Sequence, residues 1–130
     1  MDYVFLLGRI LFGGFFVVGG INHFRHLGMM SGYAASKGVP AAKAAIVLSG
    51  LLILFGGLCV IVGWSPRVGL VSIMLFLLPV TFLMHGYWSE TDPMQRMTQR
   101  VHFQKNVALL GAALMLLMVS HPWPLSVNAL

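Results

Sequence analysis

A chain of 130 residues with 58% hydrophobic and only 8% charged side chains departs far from soluble domains, in which about a quarter of residues are charged. So few charges cannot cover the apolar surface of a soluble fold this short, which leaves lipid as the solvent. The net charge of +5 reflects scarce acids (Asp2, Glu90 and Asp92) rather than a basic run with interleaved aromatics, and that pattern argues against nucleic acid as a partner.

The first apolar run extends from about Tyr3 to Ile21 and is interrupted only by Arg9. It carries Asp2 where a signal peptide has a basic segment, and it is long for a signal core, so it reads as a retained helix. The second run spans about 41–63, with Pro40 placed for a helix start. Trp64-Ser65-Pro66-Arg67 reads as a tight turn, and the third run follows over about 68–84. The fourth covers about 104–119, and its helix is expected to begin earlier, near Met97 or His102, in the interface. Each run approaches the roughly 20 residues that cross about 30 Å of hydrocarbon. Unbroken apolar runs lack the alternation of barrel strands, so the spans are helices. The expected fold is all-α, a single four-helix transmembrane bundle over residues 1–130.

Bases set the expected orientation. Arg25, Lys37, Lys43, Arg96, Arg100 and Lys105 lie in or beside the first and third connections, against Arg67 opposite. The positive-inside bias puts those connections in the cytoplasm and both termini outside. Tyr3, Trp64, Tyr87, Trp88 and Trp123 fall near span ends, as an aromatic belt would. The glycine pairs Gly13/Gly20, Gly50/Gly57 and Gly56/Gly63, and the Ala108/Ala112 step, suit close helix packing. Cys59, the single cysteine, permits no intrachain disulfide and reads as an inert packing residue.

Polar residues inside the spans carry the functional signal. A charge within a span costs about 2.5–3.5 kcal/mol. Arg9 lies about six residues in from Tyr3, roughly 9 Å by helical rise, a depth from which arginine can partly snorkel. At the other end, Asn22, His23, Arg25 and His26 close the first helix, His85 closes the third, and His102, Lys105 and Asn106 open the fourth. His102 and Asn106 share a helix face at i,i+4. Alternating helices bring these groups into one cytoplasmic-side layer able to hold a headgroup, a quinone ring or a metal. His85 is expected within hydrogen-bonding reach of Asn106, with residues 86–101 lying across them as a lid, whereas His23 and His26 are expected to face water. No metal-ligand spacing, phosphate loop or dinucleotide fingerprint is present.

Several segments resemble the DoxX family of small bacterial membrane proteins. They are Leu7-Gly8-Arg9-Ile10, Gly20-Ile21-Asn22-His23-Phe24, Gly56-Gly57 and Gly63-Trp64-Ser65-Pro66-Arg67. More specific are Val80-Thr81-Phe82-Leu83-Met84-His85-Gly86-Tyr87-Trp88 and the stretch from His102 to Gly111 that holds Lys105-Asn106. The resemblance implies a four-helix inner-membrane bundle associated with redox or oxidative-stress functions. Relatives are linked to thiosulfate:quinone oxidoreductase in archaea and to an oxidoreductase complex with superoxide dismutase in mycobacteria. Similar members often carry a glutamate three residues before the second-helix Gly-Gly, a partner for the first-helix arginine. Here that position is Ile53, a difference that favours snorkelling for Arg9.

Three readings follow, in order of preference. The first is a non-catalytic subunit or anchor for a redox partner in the inner membrane. The second is a quinone- or lipid-binding membrane protein, with His85, His102, Lys105, Asn106, Asn22 and Arg9 as ligand-binding candidates. The third is a quinone-linked oxidoreductase in its own right, the least favoured because the chain has no cysteine pair, metal motif or cofactor fingerprint.

Overall fold

A computed structural model describes residues 1–129 of the chain. Five α-helices follow in order: α1 (Asp2–Arg25), α2 (Leu27–Ser36), α3 (Ala42–Val62), α4 (Pro66–Leu83) and α5 (Pro93–Leu117). Three segments are long and apolar enough to cross a membrane, Asp2–Arg25, Ala42–Val62 and Pro66–Ser89. They answer to the first three expected spans. The fourth expected span falls in α5, which is not among those three. The described residues thus give five helices with three candidate spans rather than a four-helix bundle of spans. The 25 residues of α5 reach about 37 Å at 1.5 Å each. Its first half is polar, with Gln95, Arg96, Gln99, Arg100, His102, Gln104 and Lys105, so by composition α5 stands apart from the other three.

Two boundaries differ from expectation for identifiable reasons. α2 was not foreseen, because its ten residues, with Gly28 and Gly32 among them, show no apolar run long enough for a span. The lid expected over 86–101 shrinks to a short connection, since α5 starts at Pro93. Asp92 caps it by accepting from the Gln95 amide at 3.0 Å, and proline suits the first helical position.

α3 is the centre of the packing. It lies against α1, α2 and α4, and α4 in turn packs on α5. The glycines explain the closest approach. A side-chain carbon at Gly13 would meet the Gly57 carbonyl at 2.6 Å, and one at Gly20 would meet the Gly50 carbonyl at 2.9 Å. The expected pairs on α1 and α3 therefore face each other, letting two backbones touch where no hydrophobic force drives helices together in lipid. Gly63 departs from its expected role. It is the left-handed residue that ends α3 (φ 72°) rather than a packing partner of Gly56, which meets α4 at Gly69 instead. On α5 the small residue in the core is Ala113, fully buried, while Ala108 is exposed. The core itself joins Phe16, Ile53, Val60, Leu70, Ile73 and Leu77 to Ala113 and Trp123.

Candidate functional site

The polar side chains separate into two groups, one at each end of the bundle. At the end formed by the start of α1 and the close of α3, Arg9 is 1% exposed, which overturns the snorkelling expectation. Its Nε donates to the Val60 carbonyl at 3.0 Å and its Nη2 to the Ile61 carbonyl at 2.6 Å. Its Nη1 donates to the carbonyls of Pro124 at 2.7 Å and Leu125 at 3.2 Å. Val60 and Ile61 lie in the last turn of α3, where carbonyls lack helical partners and the dipole is negative. The counter-charge that a glutamate at position 53 would supply is thus replaced by a helix end and the C-terminal segment. Ile53 joins the core.

That segment closes the same end. Trp123 was expected in an aromatic belt but is fully buried. Its ring lies 5.8 Å from the Arg9 guanidinium, meets Phe5 edge-on at 5.3 Å and stacks on His121 at 5.5 Å. Burial first, then the Arg67 charge, lower the pKa of His121 and keep it neutral. Gly63 is required here, because a side chain would collide with Ser126 and stand 2.9 Å from Arg9 Nη2. This end is built as a clamp.

The other end carries the candidate site. His85 Nδ1 lies 2.7 Å from Gln99 Oε1, and Gln99 Nε2 donates to the Tyr33 hydroxyl at 2.7 Å. With the amide so oriented, Nδ1 of His85 is the donor and its Nε2 is left as an acceptor. Tyr33, already accepting from Gln99, keeps its O–H to give. The ring of His102 lies 5.0 Å from that of His85. His23, expected in water, is 7% exposed. Its Nδ1 pairs with the Gly19 carbonyl at 2.7 Å and its ring meets Phe76 edge-on. Lys37 Nζ bridges to Glu90 Oε1 at 2.6 Å, tying the end of α2 to the connection before α5. Its hydrogen bond with Glu90 is the main reason the Lys37 pKa is raised.

Beside this chain of hydrogen bonds lies a cavity of about 450 Å³ between α2, α3 and α4. Its walls are apolar, with Ile46, Leu52, Phe76 and Val80 among them, and His23, Tyr33, Ser49 and His85 supply the polar groups. The size and the few convergent polar atoms are those of a small-molecule site.

The sequence-expected residues are thus sorted. His85 and His102 meet, but His85 bonds to Gln99 rather than to Asn106, which is buried about two turns further along α5. Lys105 stands on the outer face with its Nζ 5.2 Å from the Phe15 ring. Asn22 is exposed and lies apart, because the turn of α1 that buries His23 points its neighbour outward. Arg9 belongs to the opposite end. Gln99 and Tyr33 went unnoticed in the sequence. Gln99 lies three residues before His102 and so on its face of α5, a spacing visible in the sequence, but Tyr33 sits on a helix that the sequence did not reveal.

A family model described as DoxX matches residues 4–86, more than half of the chain. The chain belongs to the DoxX family. The DoxX match takes in Arg9 and every residue lining the cavity, and it stops before Gln99, His102, Lys105 and Asn106. No curated protein and no solved structure matches the chain.

Proposed function

We propose that this DoxX protein binds a lipid-soluble amphipathic molecule in the cavity between α2, α3 and α4, with a quinone as the favoured ligand class. The observation that carries this is the Tyr33–Gln99–His85 chain at the polar edge of an apolar cavity. A Tyr33 O–H offered to a ligand carbonyl and a His85 Nε2 offered to a ligand hydroxyl suit a ring that alternates between quinone and quinol. The apolar walls suit the tail of such a molecule. A lipid headgroup would use the same donor and acceptor.

The subunit reading joins this one. Cys59 is the only thiol, is buried and has no second sulfur with which to exchange electrons. A bound quinone would therefore be reduced or oxidised by a partner protein rather than by this chain. In that arrangement α5 is the fourth span of a bundle in the inner membrane. The connections holding Lys37, Arg96 and Arg100 face the cytoplasm and both termini face outward, in keeping with the placement of basic residues. A reporter active only in the cytoplasm, fused at the C-terminus, is expected to be silent, and strong signal would reverse this orientation.

The binding claim is tested with the full chain in mild detergent, titrated with a benzoquinone bearing a decyl tail. Ser49 lines the cavity and its hydroxyl bonds only to the Ile46 carbonyl of its own helix. Ser49→Phe is therefore expected to fill the cavity and abolish saturable binding, while Gln99→Leu weakens it by about tenfold through loss of the positioned Tyr33 and His85. Absence of saturable binding by the unaltered protein, or undiminished binding by Ser49→Phe, would remove the reading.

A further inference from the structure

Bases outnumber acids eight to three in this chain. Among the described residues one ion pair forms, Lys37 with Glu90. Asp92 is occupied in capping α5, and Asp2 lies in the first turn of α1, at the far end of the bundle from Lys105. Arg9 is solvated by backbone carbonyls, as described. Arg25, Lys43, Arg67 and Arg96 lie at or near helix ends, where water and headgroups reach them, and Arg100 lies on the polar first half of α5 over the Tyr87 ring. Lys105 is different. It stands twelve residues before the end of α5 at Leu117, roughly 18 Å by helical rise. The Phe15 ring beneath its ammonium stands twelve residues after Tyr3, again about 18 Å from the same end. The two helices agree on a height about 18 Å from that end, and among the described residues no acidic side chain reaches it.

The surroundings are those of an opening toward lipid. α1 packs on α3 and α5 packs on α4, so Lys105 over Phe15 bridges the margin between α1 and α5. Both side chains are exposed there. The next residue, Asn106, is 5% exposed, and its amide is hydrogen-bonded to no other described side chain or carbonyl. An amide with no partner inside the protein is open to one from outside, and a cation held away from water is costly. One anionic group would answer both.

We propose that Lys105 and Asn106 hold the negatively charged group, a phosphate or a carboxylate, of a bilayer amphipath bound at the margin between α1 and α5. The ammonium neutralises the charge, and the amide donates the hydrogen bond that selects an oxygen anion. Leu11, Phe15 and Val18, exposed on one face of α1, receive the apolar chain. This site is separate from the cavity between α2, α3 and α4, and it stands whether or not a quinone occupies that cavity.

Native mass spectrometry of the full chain in detergent tests it, with phosphatidylglycerol, oleate and phosphatidylcholine added in turn. The unaltered protein is expected to retain one phosphatidylglycerol or one oleate in preference to phosphatidylcholine by about tenfold. Whichever anion is retained identifies the source of the group. Lys105→Gln is expected to erase the preference, Lys105→Arg to keep it, and Lys43→Gln to leave it unchanged. Should Lys105→Gln fail to fold, Asn106→Ala keeps the charge and is expected to weaken retention by severalfold. Equal retention of anionic and zwitterionic lipid by the unaltered protein would overturn the proposal. So would an equal loss in Lys43→Gln, or a crosslink from position 105 to an acidic residue of a co-purifying protein.

Discussion

Replacing Arg9 by leucine separates two quantities that membrane proteins usually keep entangled. Removing a charge from α1 favours insertion of that helix by about 2.5–3.5 kcal/mol, a gain realised before the helices pack. Packing then loses every bond the guanidinium makes. The Pro124 and Leu125 carbonyls lie in an end segment that can turn toward water. The Val60 carbonyl cannot, because it is buried, whereas the Ile61 carbonyl is only partly enclosed. A buried acceptor left unpaired costs about 1–3 kcal/mol, so the packed state is expected to lose about that much at Val60 and a smaller amount at Ile61. The C-terminal segment also loses its clamp. Trp64 and Trp88 are exposed and Trp123 is fully buried, so a Trp64→Phe, Trp88→Phe background makes tryptophan emission a report on that segment alone. In it, Arg9→Leu is expected to insert at normal or higher yield, to shift Trp123 emission to the red and to lower the thermal midpoint. Arg9→Lys, with fewer donors and no planar fork, is expected to fall between the two. Unaltered emission and midpoint in Arg9→Leu would refute the clamp and restore the idea of a side chain reaching water.

His121 reports on the same end through pH. Its folded-state pKa is lowered by burial and by Arg67, so protonation is opposed in the folded state. Stability from the neutral ring is present at neutral pH and is lost as pH falls through the ordinary histidine range and below it. Trp123 emission should redden on acidification and cease to do so in His121→Phe. The Lys37–Glu90 bridge behaves in the opposite sense. Lys37 has its pKa raised by Glu90, so the bridge holds throughout the ordinary lysine range and is lost only as pH rises past it. Hydrogen exchange in α2 should accelerate at that alkaline limit, and Lys37→Met should show the faster exchange already at neutral pH, with the difference vanishing past the limit. Gly56→Val places carbon where the Gly69 carbonyl stands at 2.6 Å. Overpacking of this kind costs about 1–3 kcal/mol or more, read as a lowered midpoint, and an unchanged midpoint would contradict the observed contact of α3 with α4.

The three helices long and apolar enough to cross a membrane were legible because a long apolar run has one solution in a bilayer, and the glycines of α1 and α3 announced their contact by their spacing. α2 was not legible, being too short and too mixed in composition to show either signal. Its absence from the sequence reading hid Tyr33, and with it one side of the cavity. Arg9 was visible as a problem but not in its solution. Backbone carbonyls carry no sequence signature, and the segment that supplies two of them follows the last helix by several residues. Asn106 shows the limit of pattern at the other end. Its i,i+4 spacing from His102 places the two on a shared face, yet the hydrogen bond from His85 goes to Gln99, which the turn of α5 preceding His102 brings to the same side.

The account turns on the cavity beside Tyr33, Gln99 and His85, and the most direct measurement is of what occupies it in the cell membrane. The full chain purified in mild detergent, extracted with organic solvent and examined by mass spectrometry, is expected to yield near-stoichiometric quinone or another single amphipathic species. The Ser49→Phe protein, prepared identically and equally folded, is expected to yield none of it. Extracts that are the same for both proteins would contradict the account.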